Sequence, residues 1–300
     1  MRKILLILIA LPMIGFGQKT YVPDDNFESY LEGQVLGDGL MNDSVPTAII
    51  SSLAALSIYS LNIADLTGID DFTALTYLDC NNNYLTSIDI SNNTALTAFS
   101  CSNNPLTILD VSANTALTSL GCVANQLTSL DVSNNTALVF LECAGNQLTS
   151  LDVSNNTALS NLQCPDNQLT CLDISSNSNL ERLYCENNLL EQLNMKNGYW
   201  WILIHLVATN NNLTCVEVDD IAYANSNWTN AGNFGQNVVS FSTNCNYTNP
   251  CNTNTAIQEH TTNKELLKVT DLLGRETKQT NQPLFYIYDD GTVEKRIIIE

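Results

Sequence analysis

"LTSLDVSNNTALVFLECAGNQ", residues 127–147, is one copy of a sentence that the chain repeats every 21 residues. Written in rows of that length, the sequence aligns Cys80, Cys101, Cys122, Cys143, Cys164 and Cys185 in a single column without slippage. A period this strict outranks chain length as a guide to architecture, because each copy has to be one structural unit stacked on its neighbours. Within a row the phrase L-x-x-L-x-Φ-x-x-N, with Φ apolar, occurs twice: Leu75, Leu78, Cys80 and Asn83, then Leu85, Ile88, Ile90 and Asn93. Leu78 alternates with Cys80, and Ile88 with Ile90, at a period of two, so each coil is expected to have two strand-like flanks whose apolar side chains point inward.

Stacked coils would place equivalent strands about 4.8 Å apart in parallel ladders. Each buried aliphatic side chain contributes about 1.5–3 kcal/mol, while ordering the backbone costs about 1–2 kcal/mol per residue. One coil cannot stand alone on those terms, and a stack can. The column Asn83, Asn104, Asn125, Asn146, Asn167 and Asn188 lies where the chain leaves the first strand, a place for buried amides to satisfy the backbone groups that a corner orphans. Cysteine supplies a small apolar side chain beside that corner. The six thiols are read as buried and unpaired: metal sites need four ligands converging on a point, and in-register parallel neighbours rarely offer disulfide geometry.

The phrase "LTSLDVSNNTALVFLECAGNQL" resembles the leucine-rich repeat in a short bacterial form, over residues 53–218. The resemblance implies a leucine-rich-repeat solenoid of the α/β superhelix class, here mostly β and loop, with parallel short-strand ladders, an N-terminal helical cap and a small β-rich C-terminal tail. The first coil, residues 53–74, has 22 residues, lacks the cysteine and resembles an internalin-type unit. The coil "NMKNGYWWILIHLVATNNNLTC" carries two extra residues and sets Ala208 in the cysteine column. Trp200 and Trp201 in that coil are expected to plug the solenoid end, with His205 structural in the same apolar run.

Outside the repeats, Arg2 and Lys3 precede an apolar run from Ile4 to Phe16, too short to span a bilayer, so residues 1–17 read as a signal peptide. Residues 18–52 form a cap with a short helix: Asp25 and Glu28 read as a capping-box variant, and Phe27, Tyr30 and Leu31 share one face. Residues 219–250 are assigned to a C-terminal cap, with Cys215 and Cys245 a possible disulfide in an oxidising compartment; Cys171 and Cys251 are left without an assigned place. Residues 251–262 are an Asn/Thr-rich linker. Residues 263–300 carry six of the eleven basic residues and read as a β-rich tail with a hairpin at Asp290 and Gly291. In Asp271, Leu273, Gly274, Arg275 and the terminal strand Ile297 to Ile299, this tail resembles the sorting domain of the bacterial type IX secretion system, which implies the secretion machinery as a partner and a secreted or outer-surface location.

Composition excludes other classes. Eleven basic side chains face 31 acidic ones, and between Lys19 and Lys196 the only base is Arg182, which is incompatible with a phosphate-binding groove for nucleic acid and disfavours an anionic membrane surface. No segment after the leader is long and apolar enough to span a bilayer. With two histidines and no G-x-S-x-G, H-E-x-x-H or phosphate-cradling loop, the chain reads as non-enzymatic. The flank "LTSLDVSNNTA" scarcely changes between rows. Outward positions around the cysteine strand do change: Tyr77 and Asp79, Ala98 and Ser100, Ser119 and Gly121, Phe140 and Glu142, Asn161 and Gln163, Arg182 and Tyr184. One face free to vary suggests recognition of a protein or glycan, with Tyr77, Asp79, Phe140, Glu142, Gln163, Arg182 and Tyr184 as the contacts. The alternative is a cell-surface or matrix scaffold in which the outward column Asp89, Asp110, Asp131, Asp152 and Asp173 gathers Ca²⁺; no other cofactor is expected.

Overall fold

The computed structural model describes residues 17–228, 230–235, 239–247, 251, 266–270, 283–288 and 293–297. Residues 1–16 of the expected signal peptide, the expected linker after Cys251, and Asp271, Leu273, Gly274, Arg275, Asp290, Gly291 and Ile299 of the tail lie outside them. The chain divides into a body, Met1–Cys251, and a second unit, Asn252–Glu300.

The body is a parallel β-solenoid. Its first sheet has eight three-residue strands: Ala55–Ser57, Tyr77–Asp79, Ala98–Ser100, Ser119–Gly121, Phe140–Glu142, Asn161–Gln163, Arg182–Tyr184 and His205–Val207, each in register with the next. The middle residue of each strand points inward, and Leu78, Leu120, Leu141, Leu162 and Leu183 are at most 1 % exposed. After each strand the chain turns a corner through a left-handed residue: Asn82, Asn103, Ala124, Gly145, Asp166, Asn187 and Asn210 all have φ between 52° and 63°. Asparagine, aspartate and glycine are the residues that adopt this conformation most readily.

The second flank departs from the expectation of two strands per coil. Segments 88–90, 109–111, 130–132 and 151–153 carry no regular secondary structure and no ladder pairing, and on this flank strands appear only at Cys171–Asp173, Gln192–Asn194, Cys215–Glu217 and Ser240–Ser242. Period-two alternation reports which side chains face inward, and it does so whether or not adjacent backbones bond. Leu109, Leu130 and Leu151, on the unpaired stretch, are 6–7 % exposed, while Leu172 and Leu193, on the paired stretch, are fully covered. The strand Ser240–Ser242 continues the parallel ladder beyond residue 218, so the C-terminal cap supplies a further rung.

Both ends are closed by polar anchoring of a helix over the apolar stack. At the N-terminus, Lys19–Tyr21 and Ser44–Pro46 pair antiparallel beside the helix Asp25–Gly33. The helix is capped by Asp24, one residue earlier than expected: one carboxylate oxygen accepts from the backbone of Asn26 and Phe27, the other from Ala64 and Asp65 of the first coil. Glu28 is instead 1 % exposed and accepts from the backbone of Asn42 and Ser44. Phe27 stacks on Phe72 at 6.1 Å, seating the helix on the core. At the other end the helix Ile221–Asn227, capped by Asp220, sits with an aromatic cluster of Tyr223, Trp228, Phe234 and Phe241.

Four cysteines fasten the C-terminal part. Cys215 is bonded to Cys245, and Cys171 to Cys251, with Cα separations of 5.9 and 5.5 Å. Cys251, read from sequence as the start of the linker, therefore belongs to the body. The second unit contains an antiparallel three-stranded sheet, Leu266–Thr270, Pro283–Tyr288 and Val293–Ile297, the last two being the arms of a hairpin. Among the described residues no helix is long and apolar enough to cross a membrane.

Candidate binding face

The asparagine file holds the first flank rigid from within. Asn125 is representative: its Nδ2 donates to the carbonyls of Cys101, Cys122 and Val123, and its Oδ1 accepts from the backbone of Leu106 in the preceding coil. Asn83, Asn104, Asn146, Asn167 and Asn188 repeat this pattern. Asn211 continues it one coil further. The next column along the coil, Asn93, Asn114, Asn135, Asn156 and Asn177, is fully buried too, and each Nδ2 donates to two carbonyls, but each Oδ1 has no hydrogen-bond partner.

Cys80, Cys101, Cys122, Cys143, Cys164 and Cys185 line up beneath the first sheet as free, fully buried thiols. Burial pushes every one of them above the ordinary thiol value, Cys122 to about 12. Since the thiolate is the nucleophile and the metal ligand, this file is chemically inert at neutral pH and acts as packing. Ala208 fills the same place, fully buried, in the last coil.

On the outer side of the same strands stand the variable residues. Tyr77 and Phe140 are 42 % and 43 % exposed; Glu142 is exposed, and Asp79, Gln163, Arg182 and Tyr184 are half-buried. Gln163 Nε2 donates to Glu142 Oε1 at 3.1 Å. Burial, and then the neighbouring Asp79 carboxylate, raise the Tyr77 phenol. Asn161 is the exception among the outward positions: flanked in register by Phe140 and Arg182, it is only 8 % exposed. His205, read as structural, occupies the first, outward position of its strand and is exposed, so it extends the face by one rung. Trp201 is not a plug either. The two-residue insertion bulges outward, leaving Trp201 53 % exposed in tilted contact with Tyr199 at 5.3 Å. The signal that could have found Trp201 was the broken period of this coil.

The aspartate column lies on the other flank. Asp89, Asp110, Asp131 and Asp152 are exposed, Asp173 half-buried, and one oxygen of each accepts from the backbone two residues on, at Ser91, Ser112, Ser133, Ser154 and Ser175. The backbone and then the hydroxyl of Ser91 hold Asp89 below the usual carboxylate range, and the hydroxyl and then the backbone of Ser112 do the same for Asp110. Each aspartate thus has a structural task as a corner cap. Among the described residues, no three side chains of histidine, cysteine, aspartate or glutamate converge where a metal ion would sit.

Known proteins share this build. The repeat family described as LVIVD repeat matches residues 76–101 and 98–124. Internalin J of Listeria monocytogenes is 38 % identical over 73 residues, 24 % of this chain and 8 % of that protein. The functional domain of InlJ from Listeria monocytogenes, whose structure includes a cysteine ladder, is 34 % identical, with a TM-score of 0.55 over 67 % of this chain and 52 % of that one. Internalin C2 from the same organism shares the fold, with a TM-score of 0.60 at 21 % identity over 75 % of this chain and 98 % of that one. The chain spans about half the length of the InlJ functional domain and a small part of whole Internalin J. These likenesses support a bacterial repeat protein with a solenoid of the leucine-rich-repeat kind.

Proposed function

We propose that the body is an exported binding module that recognises a protein or glycan along the outer face of its first sheet, at or beyond the cell surface. The observation that carries this reading is the segregation of sequence variety. Across seven strands from Tyr77 to Val207 the outward residues change at every step, while the strands stay parallel and in unbroken register. A rigid, continuous surface with varied side chains binds without ordering cost, which favours affinity. The likeness to internalin structures supports a surface-exposed setting, and the signal-like leader and the tail resembling a type IX sorting domain support export by that machinery.

The test is capture of partners by the full chain from the medium and cell surfaces around the secreting cell. The triple substitution Tyr77→Ala, Phe140→Ala and Tyr184→Ala is expected to lower capture at least tenfold while the thermal transition stays in place; undiminished capture would refute the reading. The scaffold alternative rests on the regular aspartate file, and predicts instead that millimolar Ca²⁺ raises the melting temperature by several degrees while the triple substitution changes nothing.

A further inference from the structure

On the first sheet, two strands of like pattern bracket two of unlike pattern. Tyr77-Leu78-Asp79 and Phe140-Leu141-Glu142 each present an aromatic ring and, two residues on and so on the same side, a carboxylate. Between them run Ala98-Phe99-Ser100 and Ser119-Leu120-Gly121, whose outward residues are all small. The register is unbroken: Tyr77, Ala98, Ser119 and Phe140 form one row across the sheet, and Asp79, Ser100, Gly121 and Glu142 the next. The result is a notch of about 230 Å³ with a floor of small residues and aromatic walls. Three ladder steps separate those walls, about 14 Å between backbones.

Resting on the reading of this face as the binding face, we infer that the notch receives a lysine or arginine side chain from a basic segment of a protein partner. Charge complementarity selects that occupant. The chain has no basic residue between Lys19 and Arg182, so nothing on these four strands neutralises Asp79 or Glu142. An anionic ligand would be repelled. A neutral one would take water from two carboxylates without replacing it, at a cost in affinity. A cation against the Phe140 wall meets an aromatic ring and the Glu142 carboxylate, and the two attractions act together; Tyr77 closes the opposite wall, and Asp79, at the corner beyond it, adds negative charge from that side. The floor keeps the space clear: a Cβ added at Gly121 would come within 3.0 Å of Ser100 Oγ, so a side chain there would crowd Ser100 and occupy the notch. Ser100 Oγ is itself turned to Asn81 Oδ1 at 2.8 Å, out of competition with an incoming cation.

The experiment is calorimetric titration of the full chain, at moderate salt, with a synthetic peptide of alternating glycine and arginine, against the same peptide with serine for arginine. The arginine peptide is expected to bind and the serine peptide not. Asp79→Asn with Glu142→Gln, and separately Tyr77→Ala with Phe140→Ala, are each expected to weaken binding about tenfold, and Gly121→Leu to abolish it. Asparagine at 79 keeps an acceptor for the Asn81 backbone N–H that Asp79 now holds at 3.0 Å, so the coil corner survives. Asp131→Asn with Asp152→Asn removes the same charge from the other flank and is expected to leave binding unchanged. An equal loss in that pair would reduce the effect to net charge and overturn the inference, as would equal binding of the serine peptide. Should captured partners depend on Tyr77 and Phe140 but tolerate Asp79→Asn with Glu142→Gln, the binding face would stand and the cation would fall.

Discussion

The two flanks of the rod are built on opposite principles. On the first, eight strands exchange backbone hydrogen bonds from Ala55 to Val207, and a saturated asparagine file ties each corner to the coil before it. On the second, from residue 88 to residue 153, there is no ladder. Side chains hold that flank: aspartates capping corners, and buried asparagines using their donors alone. The difference accounts for the pattern of repetition. Where the backbone bonds to itself, most outward side chains are spared structural duty and are free to diversify, Asp79 and Ser100, which bond Asn81, being exceptions. Where side chains make the bonds, as in "LTSLDVSNNTA", the same words must recur in every coil.

The largest test uses alkali, which acts chiefly on the first flank, where the six thiols lie, with the part-buried phenol of Tyr247 against Leu193 and Cys215 the counterpart on the second. Thiols that stay protonated in the fold but ionise near pH 9 when unfolded stabilise the protein below that pH and cease to do so as pH rises toward 12. Each buried thiol is expected to cost about 1.4 kcal/mol of stability per pH unit in that window, so the six together should unfold the body well before pH 11. Replacing Cys101, Cys122 and Cys143 with alanine should halve the slope of stability against pH, measured by urea unfolding. An unchanged slope would remove the thiol file from the account.

Next in size is the staple that holds the second flank where it does form strands. Cys171→Ser opens a loop of 80 residues, for which chain entropy predicts a loss of about 4 kcal/mol. Hydrogen exchange should then rise at Gln192–Asn194 and Cys215–Glu217 more than in the first sheet. Uniform exchange across both sheets would mean that the two flanks open as one.

Smaller, and most direct, is the paired substitution of Asn125 and Asn135. Asn125→Ala removes four hydrogen bonds and leaves the Leu106 N–H without its acceptor, while the carbonyls of Cys101, Cys122 and Val123 each keep another donor, and should cost about 2–3 kcal/mol. Asn135→Ala loses two bonds and also removes an unpartnered oxygen, so about 1–2 kcal/mol is expected. Equal costs in urea unfolding would end the distinction between the files. The smallest effect is in acid. The held-down carboxylates of Asp89 and Asp110 stabilise the fold above the ordinary aspartate range and lose that contribution as pH falls through their lowered values. Asp110→Asn should therefore shift acid unfolding slightly and alkaline unfolding not at all.

Much of this was legible in sequence because registers repeat. Six cysteines at one spacing announce an internal file, and an asparagine three residues after each announces the corner. The lack of a ladder on the second flank was not legible, since Ile88-x-Ile90 and Leu78-x-Cys80 alternate alike, and alternation records sidedness, not pairing. Nor was the partner of Cys171, which lies 80 residues away; the column it stands in, Ser87, Ile108, Ser129 and Ser150, is not uniform enough to single it out. The exposure of Trp201 came with an insertion, which the broken period flags without giving its direction, whereas that of His205 follows from its register with Arg182.

The bond between Cys171 and Cys251 also settles how the rod bears load. Cys251 is the last residue of the body, and whatever holds the far end of the chain must pull through it. That tension crosses the sulfurs straight into Cys171. Residues 172–250, the final coils and their cap, therefore form a loop closed by that bond, and force applied through the segment after Cys251 would bypass them.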